Sequence, residues 1–328
     1  MIISRAPVRL SLGGGGTDLP SYYRQHGGFL VAAAIDKYIY IMADKRFQPS
    51  IRLSYSKTEI VDRVDEIQHP LFREGLRYAG VERQIELISL AEVPANCGLG
   101  TSSTFAVALL NALFEFRRQR VPRQELAEAA CRLEMEILKE PIGKQDQYVA
   151  AFGGLNAYWF DPDGTVRVEP VAIRPENLRE LQNNLLLFYL NRERDARTVL
   201  ADQDRKSRTG DAPTLERLHR IKEIGLATKK LLEDGSRLDA FGELMHEHWL
   251  TKRGLSDKIS DSFIDEAYDT ARRHGALGGK VVGAGGGGFL LLYCPKEKSK
   301  LVGALQPLGL EPMWFGFAAE GARVGFYS

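Results

Sequence analysis

The chain has 328 residues, of which 44% are hydrophobic and 27% charged, and its formal net charge is +1. This composition is ordinary for a folded globular protein and excludes extended disorder. The near-zero charge gives no bulk attraction to nucleic acid or to an anionic membrane. The length favours two domains, which we expect over residues 1–180 and 181–328.

The cysteines and the N-terminal segment indicate the cellular compartment in which we expect the protein. The three cysteines, Cys97, Cys131 and Cys294, are odd in number and have no paired spacing, so we expect neither a disulfide framework nor a zinc site. The opening segment MIISRAPVRLSLGGGG lacks the long apolar core of a signal peptide, and no apolar run approaches the roughly 20 residues of a membrane helix. We therefore expect a cytoplasmic protein without a membrane or nucleic-acid partner, and the sequence carries no signal for its oligomeric state.

Hydrophobic periodicity predicts strands and helices in separate runs, which indicates an α+β fold rather than regular βαβ repeats. In the first half we predict strands at 2–12, 29–43, 51–55 and 84–90, helices at 102–118, 123–139 and about 143–151, and a hairpin of 155–160 with 166–171. In the second half we predict a strand at 185–190, helices at 214–233, 237–250 and 262–274, and two strands flanking a glycine loop across 280–293. The polar stretch Gln203–Pro213 is predicted to be a mobile loop.

The segment PANCGLGTSST, residues 94–104, runs directly into an apolar helical pattern. Glycines let the backbone approach an anion, and the first free N–H groups of a helix point towards it. Hydroxyl groups can bind phosphate oxygens or a shared Mg²⁺ ion, with Ser103 as the candidate magnesium ligand. A tight turn before a capped helix fits the same pattern equally well, and the missing lysine excludes a Walker A loop. The residues of this candidate ATP loop are Pro94, Asn96, Gly98, Leu99, Gly100, Thr101, Ser102, Ser103 and Thr104.

Two further segments have the residue types of a sugar site. Arg9 precedes the run Gly13–Gly16, which continues into Thr17 and Asp18. A carboxylate can accept two hydrogen bonds from vicinal hydroxyls, and an arginine can stabilise developing negative charge. The second segment, GKQDQY, places Asp146 just inside a short helix, where a positioned carboxylate could act as a general base. The alternatives are a flexible glycine turn and an ordinary helix-capping aspartate.

A third glycine segment, KVVGAGGGGF over 280–289, lies between two strands. A Rossmann fingerprint requires a helix after the glycines, so this loop is predicted instead to pack beneath a bound phosphate loop. His246 and His248 are two residues apart on a predicted helix, which is not the spacing of a zinc site, so we assign them structural or supporting roles. Trp159, Trp249 and Trp314 are predicted to lie in the core or at a domain interface.

The three glycine segments, RAPVRLSLGGGGTDLP, PANCGLGTSST and GKVVGAGGGGF, resemble in order and wording the three motifs of the GHMP kinase superfamily over nearly the whole chain. Within it, GGGGTDLP, GKQDQYVAAFGGLN and ALGGKVVGAGGGGFLLLY are most similar to the D-glycero-D-manno-heptose 7-phosphate 1-kinases. The resemblance implies an N-terminal domain like domain 2 of ribosomal protein S5, a ferredoxin-like C-terminal domain, and ATP with Mg²⁺ bound between them.

By the same resemblance, Asp146 is the catalytic aspartate, Arg9 its partner, and Asp18 the carboxylate that binds sugar hydroxyls. Two departures from the family pattern bear on the substrate. Gly15 and Gly16 replace the Glu-His of galactokinases, which argues against galactose, and the segment LNRERDARTVL (190–200) contains three arginines that could hold a sugar phosphate or form a solvated face. The residues assigned to the substrate are Gly15, Gly16, Thr17, Asp18, Lys144, Gly285, Gly286 and Arg197.

The sequence therefore predicts an ATP-dependent sugar 1-kinase that phosphorylates an anomeric hydroxyl, with D-glycero-D-manno-heptose 7-phosphate as the expected small-molecule substrate. One alternative is a related kinase for an unphosphorylated mannose-like or fucose-like sugar. A second is a sensor of sugar and ATP without catalytic activity, against which the joint presence of the loop hydroxyls, Arg9 and Asp146 argues.

Overall fold

The computed structural model describes residues 1–192, 196–235 and 238–326. In these ranges the strands form two separate sheets with helices packed against them, which confirms the α+β prediction. The strands are β1 (Ile2–Gly14), β2 (Gly28–Lys45), β3 (Ile51–Ser54), β4 (Thr58–Val61), β5 (Ile85–Ala91), β6 (Leu155–Phe160), β7 (Val166–Pro170), β8 (Leu185–Tyr189), β9 (Gly278–Val281), β10 (Phe289–Tyr293), β11 (Glu311–Met313) and β12 (Arg323–Phe326). The helices are α1 (Pro20–His26), α2 (Pro70–Tyr78), α3 (Thr101–Phe116), α4 (Arg123–Cys131), α5 (Gln145–Phe152), α6 (Pro175–Asn184), α7 (Ala196–Arg208), α8 (Ala212–Asp234), α9 (Asp239–Arg253), α10 (Ser262–Arg273) and α11 (Lys298–Leu305).

The first sheet is organised around the long strand β2, which pairs with β1, β5 and β6. Its strand order is β12-β1-β2-β5-β3-β4, with β6 paired to β2 and β7 to β6. Residues 28–35 of β2 are buried throughout. Alternate residues there enter two different core clusters, Leu30 with α3 and Val31 with α8 and α9, because helices cover both faces of the sheet. This explains why the sequence of the strand is continuously apolar rather than alternating.

The second sheet has the antiparallel order β11-β8-β10-β9 and contributes to a core that the two sheets share. One apolar cluster combines Val8 and Leu10 of β1 with Leu187 of β8, Phe241 of α9 and Leu291 of β10. The two halves of the chain are thus packed together by hydrophobic contact, and the cleft described below lies where they meet.

The end of the described chain returns to the first sheet. Strand β12 pairs antiparallel with β1, with Ile2 opposite Phe326 and Arg5 opposite Arg323. Residues 323–326 therefore belong to the first sheet, although the sequence pattern groups them with the second half. Strand β8, Leu185–Tyr189, is the first strand in chain order that belongs to the second sheet.

The prediction of a mobile loop over Gln203–Pro213 is wrong. Residues 203–208 form the second half of α7, and α8 already begins at Ala212. Ion pairs at helical spacing, such as Lys206 to Asp202 at 2.8 Å and Arg208 to Asp204 at 2.9 Å, stabilise this polar helix. Asp211 then caps α8 by accepting a 3.0 Å hydrogen bond from the Thr214 N–H.

Two other expectations require correction. The helix predicted over 123–139 is α-helical only to Cys131 and continues as a π-helical segment, Arg132–Ile137. Trp249 is fully buried and Trp159 packs against the shared core, but Trp314 is 72% exposed, so it is not a core residue. Finally, no helix among the described residues is both long and apolar enough to cross a bilayer.

Candidate active site

A cleft of about 220 Å³ lies between the end of β1, the loop before α3, the start of α5 and the glycine loop after β9. Most of the residues selected from the sequence line it, although they come from distant parts of the chain. Those that line the cleft are Arg9, Gly15, Gly16, Asp18, Asn96, Gly98, Gly100, Thr101, Ser102, Ser103, Asp146 and Arg197. Those outside its lining are Thr17, Pro94, Leu99, Thr104, Lys144, Gly285 and Gly286.

The centre of the cleft is an ion pair between Arg9 of β1 and Asp146 in the first turn of α5. Arg9 Nε donates to Asp146 Oδ1 at 2.7 Å and Nη2 donates to Oδ2 at 2.9 Å. Arg9 is 3% exposed, and its Nη1 donates to the carbonyl of Gly98 at 2.6 Å. The planar guanidinium thus fixes both carboxylate oxygens and ties them to the phosphate-loop candidate.

Asp18 lies beside this pair, almost completely buried at 3% exposure. Its Oδ2 accepts a 3.2 Å hydrogen bond from the Gln145 N–H. The pKa of Asp18 is raised to about 6, chiefly by burial and also by the neighbouring Asp146, whereas the Gln145 hydrogen bond and Arg9 act in the opposite direction. A Cβ atom at Gly143 would collide with the Asp18 carboxylate, so only glycine leaves room for it.

Four of the residues that the sequence assigned to the substrate make contacts within the protein. The Thr17 hydroxyl is buried and bonded to the backbone N–H and carbonyl of Phe29. Lys144 Nζ donates to the Gly164 carbonyl at 2.7 Å and pairs with Glu128 at 3.3 Å. Gly285 and Gly286 pack on the segment before α10, where the Gly286 N–H donates to the Ile259 carbonyl at 2.8 Å. None of these four residues lines the cleft.

The loop before α3 has the features of an anion site. Gly100 is the N-cap in the left-handed region with φ 79°, no side chain caps the helix, and its first turn holds no acidic residue. Thr101, Ser102 and Ser103 of that turn line the cleft. The unpaired N–H groups and the helix dipole therefore favour a phosphate here. In contrast, Pro94 is exposed, Leu99 is buried, and the buried Thr104 hydroxyl lies 3.5 Å from the Pro7 carbonyl.

The third glycine segment packs against this loop, as its sequence predicts. A Cβ atom at Gly98 would lie 2.6 Å from the Val282 carbonyl, and one at Gly283 would lie 2.7 Å from Gly98 Cα. Gly288 is likewise in contact with the backbone of Cys97. Two backbones therefore meet at a separation that no side chain permits, which holds the candidate phosphate loop in place.

Glu134 is a site residue that the sequence did not reveal. It lies in the π-helical segment, is 1% exposed, and accepts hydrogen bonds from Ser102 Oγ at 3.0 Å and Gln147 Nε2 at 2.6 Å. The pKa of Glu134 is raised to about 7, chiefly by burial, whereas the hydroxyls of Ser103 and Ser102 and the Gln147 amide act in the opposite direction. Its sequence signal is a glutamate one helical turn after Ala130, on the apolar face of the predicted helix.

Two lysines at the far wall were also missed as site residues, and His248 lies beside one of them. Lys280 is 2% exposed, with Nζ 3.1 Å from His248 Nδ1. Lys252, at the end of α9, is half-buried and donates to the carbonyls of Val281 at 2.9 Å and Gly283 at 2.5 Å. Burial and then Arg9 lower the Lys252 pKa to about 7. Burial and the neighbouring cations put the pKa values of Lys280 and His248 well below their ordinary values.

His248 thus supports Lys280, and His246 bonds the Tyr268 hydroxyl at 2.7 Å, in line with the supporting roles predicted for both. The described residues contain no group of three or more His, Cys, Asp or Glu that could hold a metal by themselves.

Two polar groups in the same cleft as Asp18 lack a protein partner in the described part of the chain. Ser11 Oγ and Gln145 Oε1 are buried without a hydrogen bond, and both residues line the cleft. A buried polar atom without a partner costs free energy, so such atoms point to a polar ligand. At the rim, Arg197 is 65% exposed and pairs with Glu140 at 2.8 Å, whereas Arg192 pairs with Asp261 away from the cleft. Arg194 lies outside the described residues.

Comparison with known proteins identifies relatives along the whole chain. The family model for the GHMP kinases N terminal domain matches residues 65–154, and that for the GHMP kinases C terminal domain matches residues 227–306. A D-glycero-alpha-D-manno-heptose 7-phosphate kinase from Campylobacter jejuni is 29% identical over 98% of both chains. An L-fucokinase/L-fucose-1-P guanylyltransferase from Bacteroides fragilis is 28% identical over 89% of this chain and 34% of the relative. A solved D-glycero-D-manno-heptose 1-phosphate kinase from Bacteroides thetaiotaomicron superposes over 100% of both chains with a TM-score of 0.82 and 27% identity.

Proposed function

The chain belongs to the GHMP kinases and is an ATP-dependent kinase, and we propose that it phosphorylates the anomeric hydroxyl of a sugar phosphate, D-glycero-D-manno-heptose 7-phosphate. The observation that carries this proposal is the bidentate pair of Arg9 and Asp146, which lies between the candidate phosphate loop and the polar pocket at Asp18. A hydroxyl bound at Asp18 and a phosphate bound at the α3 N-terminus would meet at this pair.

Asp146 would orient the acceptor hydroxyl and accept its proton. The hydroxyl oxygen then forms a bond to the γ-phosphorus of ATP, the bond from that phosphorus to the β–γ bridging oxygen breaks, and ADP leaves with the electron pair. Arg9 holds Asp146 in position and offsets negative charge that develops nearby. Phosphoryl transfer leaves little covalent work for the protein, so positioning and electrostatics account for most of the rate.

Magnesium fits the oxygen groups at the start of α3. The Glu134 carboxylate and the Ser102 and Ser103 hydroxyls are hard oxygen ligands of the type that Mg²⁺ prefers, and they lie together beside the phosphate loop. Bound there with the triphosphate, the ion would neutralise charge on the phosphate oxygens. The burial of an acidic side chain at this place is otherwise unfavourable, which supports a cationic ligand.

The sugar would occupy the pocket formed by Asp18, Ser11 and Gln145. Asp18 can accept two hydroxyl hydrogen bonds, and Ser11 and Gln145 supply the unpaired polar atoms. Gly15 and Gly16 leave space beside them, and Arg197 at the rim is a candidate to contact a distal phosphate. The name of the Campylobacter relative supports the heptose 7-phosphate, and that of the Bacteroides fragilis relative supports the alternative, an unphosphorylated sugar such as fucose.

A substrate panel tests this proposal. The enzyme is incubated with ATP, Mg²⁺ and one of several compounds: heptose 7-phosphate, heptose 1-phosphate, mannose or fucose. Coupled ADP release measures turnover, and ³¹P NMR locates the new phosphate. We expect the highest kcat/KM with heptose 7-phosphate and a phosphate on C1. Turnover of unphosphorylated sugars alone would establish the alternative, and a product of heptose 1-phosphate would identify a different acceptor hydroxyl. Nucleotide binding without turnover of any sugar would indicate a sensor.

Substitution of Asp146 by Asn tests the catalytic assignment. The amide retains the shape of the side chain but cannot accept a proton, so we expect kcat to fall by about 10³-fold with little change in ATP affinity. The matched control is Asp161→Asn, because Asp161 also receives Nε and Nη2 of an arginine, Arg167, but lies at the surface. Near-wild-type turnover by a folded Asp146→Asn variant would remove Asp146 from the mechanism.

A further inference from the structure

Two lysines in the cleft have no carboxylate partner among the described residues. Within the described residues, the hydrogen-bond partner of Lys280 Nζ is the imidazole of His248. Lys252 Nζ donates to two backbone carbonyls, which leaves one of its three N–H groups for another acceptor. The two other cations that line the cleft differ, because Arg9 pairs with Asp146 and Arg197 with Glu140. Burial and mutual repulsion favour the neutral form of these two lysines, and an anion bound beside them would favour the charged form of both.

The lysines lie next to the reacting centre rather than at the rim. Lys252 holds the carbonyl of Gly283, and Gly283 packs on Gly98. The Gly98 carbonyl in turn accepts the hydrogen bond from Arg9 that anchors the pair with Asp146. This places Lys252 one backbone layer from Arg9, and the charges of Arg9, Lys252 and Lys280 act on one another.

We propose that Lys252 and Lys280 form a second anion site in the cleft, which holds the terminal phosphoryl group of ATP as it passes to the acceptor. The inference rests on the proposed function, because it assumes that the phosphoryl group is transferred from ATP to an acceptor. The group that the two lysines bind is the same whichever acceptor the enzyme uses. The helix N-terminus would bind the triphosphate from one side, and the lysines would bind the departing phosphoryl group from the other. Lys252 makes a direct contact through its free N–H group, and Lys280 supplies charge behind it.

The burial of the pair supports a ligand-binding role over a structural one. A lysine kept for stability would be expected to have a carboxylate partner or a solvated ammonium group, as Lys229 has in its 2.8 Å pair with Glu233. Lys280 has neither, so its burial costs stability in the absence of a ligand. A phosphoryl group would provide the missing negative charge and several acceptor oxygens.

The test compares Lys252→Met and Lys280→Met with the wild-type enzyme, because methionine keeps much of the apolar stem and removes the charge. The matched control is Lys222→Met, since Lys222 Nζ also donates to a carbonyl, that of His26 at 2.7 Å, but does not line the cleft. Calorimetry gives the Kd for ADP and for β,γ-imido-ATP in the presence of Mg²⁺ and without a sugar. The ratio of the two Kd values reports binding of the terminal phosphoryl group and does not depend on the acceptor.

We expect each cleft variant to lose about 10- to 100-fold of the preference for β,γ-imido-ATP over ADP, with ADP affinity unchanged. The Lys252→Arg variant should retain part of the preference for β,γ-imido-ATP, because arginine keeps the positive charge. The Lys280→Met variant should unfold at the same temperature as the wild type or at a higher one. An unchanged ratio in both cleft variants would overturn the inference, even if a sugar kinase activity is confirmed. If the cleft variants lose the preference for β,γ-imido-ATP as expected but the wild-type enzyme phosphorylates no sugar, the anion site is upheld and the proposed acceptor is contradicted.

A second arm separates the donor's phosphoryl group from a phosphate carried by the substrate. If the lysines bound the substrate's own phosphate, the variants would lose discrimination between heptose 7-phosphate and the unphosphorylated heptose, whereas the nucleotide ratio would stay constant. We expect the reverse, with kcat reduced by a similar factor for both sugars. Loss of sugar discrimination alone would therefore reject the proposal.

Discussion

Asp18 is a carboxylate that the protein keeps buried at a cost to its stability. Its pKa rises from the ordinary value of 3.8 to about 6 on folding, chiefly because burial disfavours the charged form. Such a rise corresponds to about 3 kcal/mol against the ionised, folded state. At neutral pH the side chain is nevertheless charged, which is the state that accepts sugar hydroxyls. The requirement for function thus opposes the requirement for stability at this residue.

We predict that Asp18→Asn stabilises the protein near pH 7 but impairs substrate binding. Because the folded pKa is raised, the contribution of Asp18 to stability is present below pH 3.8 and is lost as the pH rises to about 6. Urea unfolding between pH 4 and 7 should therefore show the variant gaining up to about 3 kcal/mol over the wild type as the pH rises. The KM for the sugar should increase at least about 10-fold at pH 7.

Asp163→Asn is the control, because the pKa of Asp163 is shifted in the direction opposite to that of Asp18. The Thr165 N–H and hydroxyl lower the pKa of this exposed carboxyl, so its favourable contribution is present at neutral pH and is lost on acidification. The variant should show no gain in stability with rising pH and no change in the KM for the sugar. A gain equal to that of Asp18→Asn would mean that the pH dependence arises elsewhere.

At the scale of elements, the site depends on contact between two loops that are far apart in the chain. The loop before α3 and the loop after β9 meet at Gly98 and Gly283, both in the left-handed region with φ 81° and 72°. A side chain at either position would face backbone rather than a flexible neighbour. The contact therefore fixes the position of the candidate phosphate loop relative to Arg9.

We predict that Gly283→Ala raises the KM for ATP by about 10-fold or more and lowers the melting temperature. The new Cβ atom would lie 2.7 Å from Gly98 Cα, so one loop must move, and a left-handed alanine adds strain of about 1 kcal/mol or more. Steady-state kinetics and calorimetry measure both effects. Gly303→Ala, in α11 with nothing within 4 Å, should instead leave the KM unchanged and stabilise the helix by about 0.5–1 kcal/mol.

Local sequence signals were sufficient for most elements but not for all. The strand 29–43 and the helix 102–118 were predicted within two residues of β2 and α3, because long apolar periodic runs are local signals. Helix α7 was missed because its sequence is polar, and its stability comes from ion pairs and from burial of Gln203 and Ser207 on one face. The π-helical segment has no local sequence signature, although it places Glu134 at the cleft.

For the whole molecule, the shared core predicts that both halves unfold together. Strand β1 and helix α9 contribute to the same apolar cluster, and a Cβ atom at Gly13 would overlap Thr228 of α8, so the contact between the halves is close. Neither half can expose this surface without losing hydrophobic free energy. The cleft is thus formed by two sheets that behave as one cooperative structure.

Tryptophan fluorescence tests this prediction, because Trp159 lies in β6 of the first sheet and Trp249 in α9. One variant retains only Trp159 and a second retains only Trp249. In each variant, the fluorescence change should coincide with the unfolding transition that calorimetry measures for the same variant. The urea unfolding curves of the two variants should then have the same midpoint and slope. Ligand that spans the cleft should shift both signals equally. Two separated transitions would show that the halves are independent domains and contradict the cooperative interpretation.

The sequence by itself determined the fold class, the three glycine segments, and Arg9, Asp18 and Asp146 as candidates, because backbone freedom, helix starts and charge type are properties of short segments. The family resemblance also predicted that Arg9 partners Asp146, and the tertiary structure shows the contact between these residues, which are 137 positions apart in the chain. Only the tertiary structure brought Glu134, Ser11, Lys252 and Lys280 to the same cleft. It also showed that Thr17 and Lys144 are satisfied elsewhere. Burial, partner and distance decide whether a polar side chain is structural or functional, and these arise only when distant segments pack together.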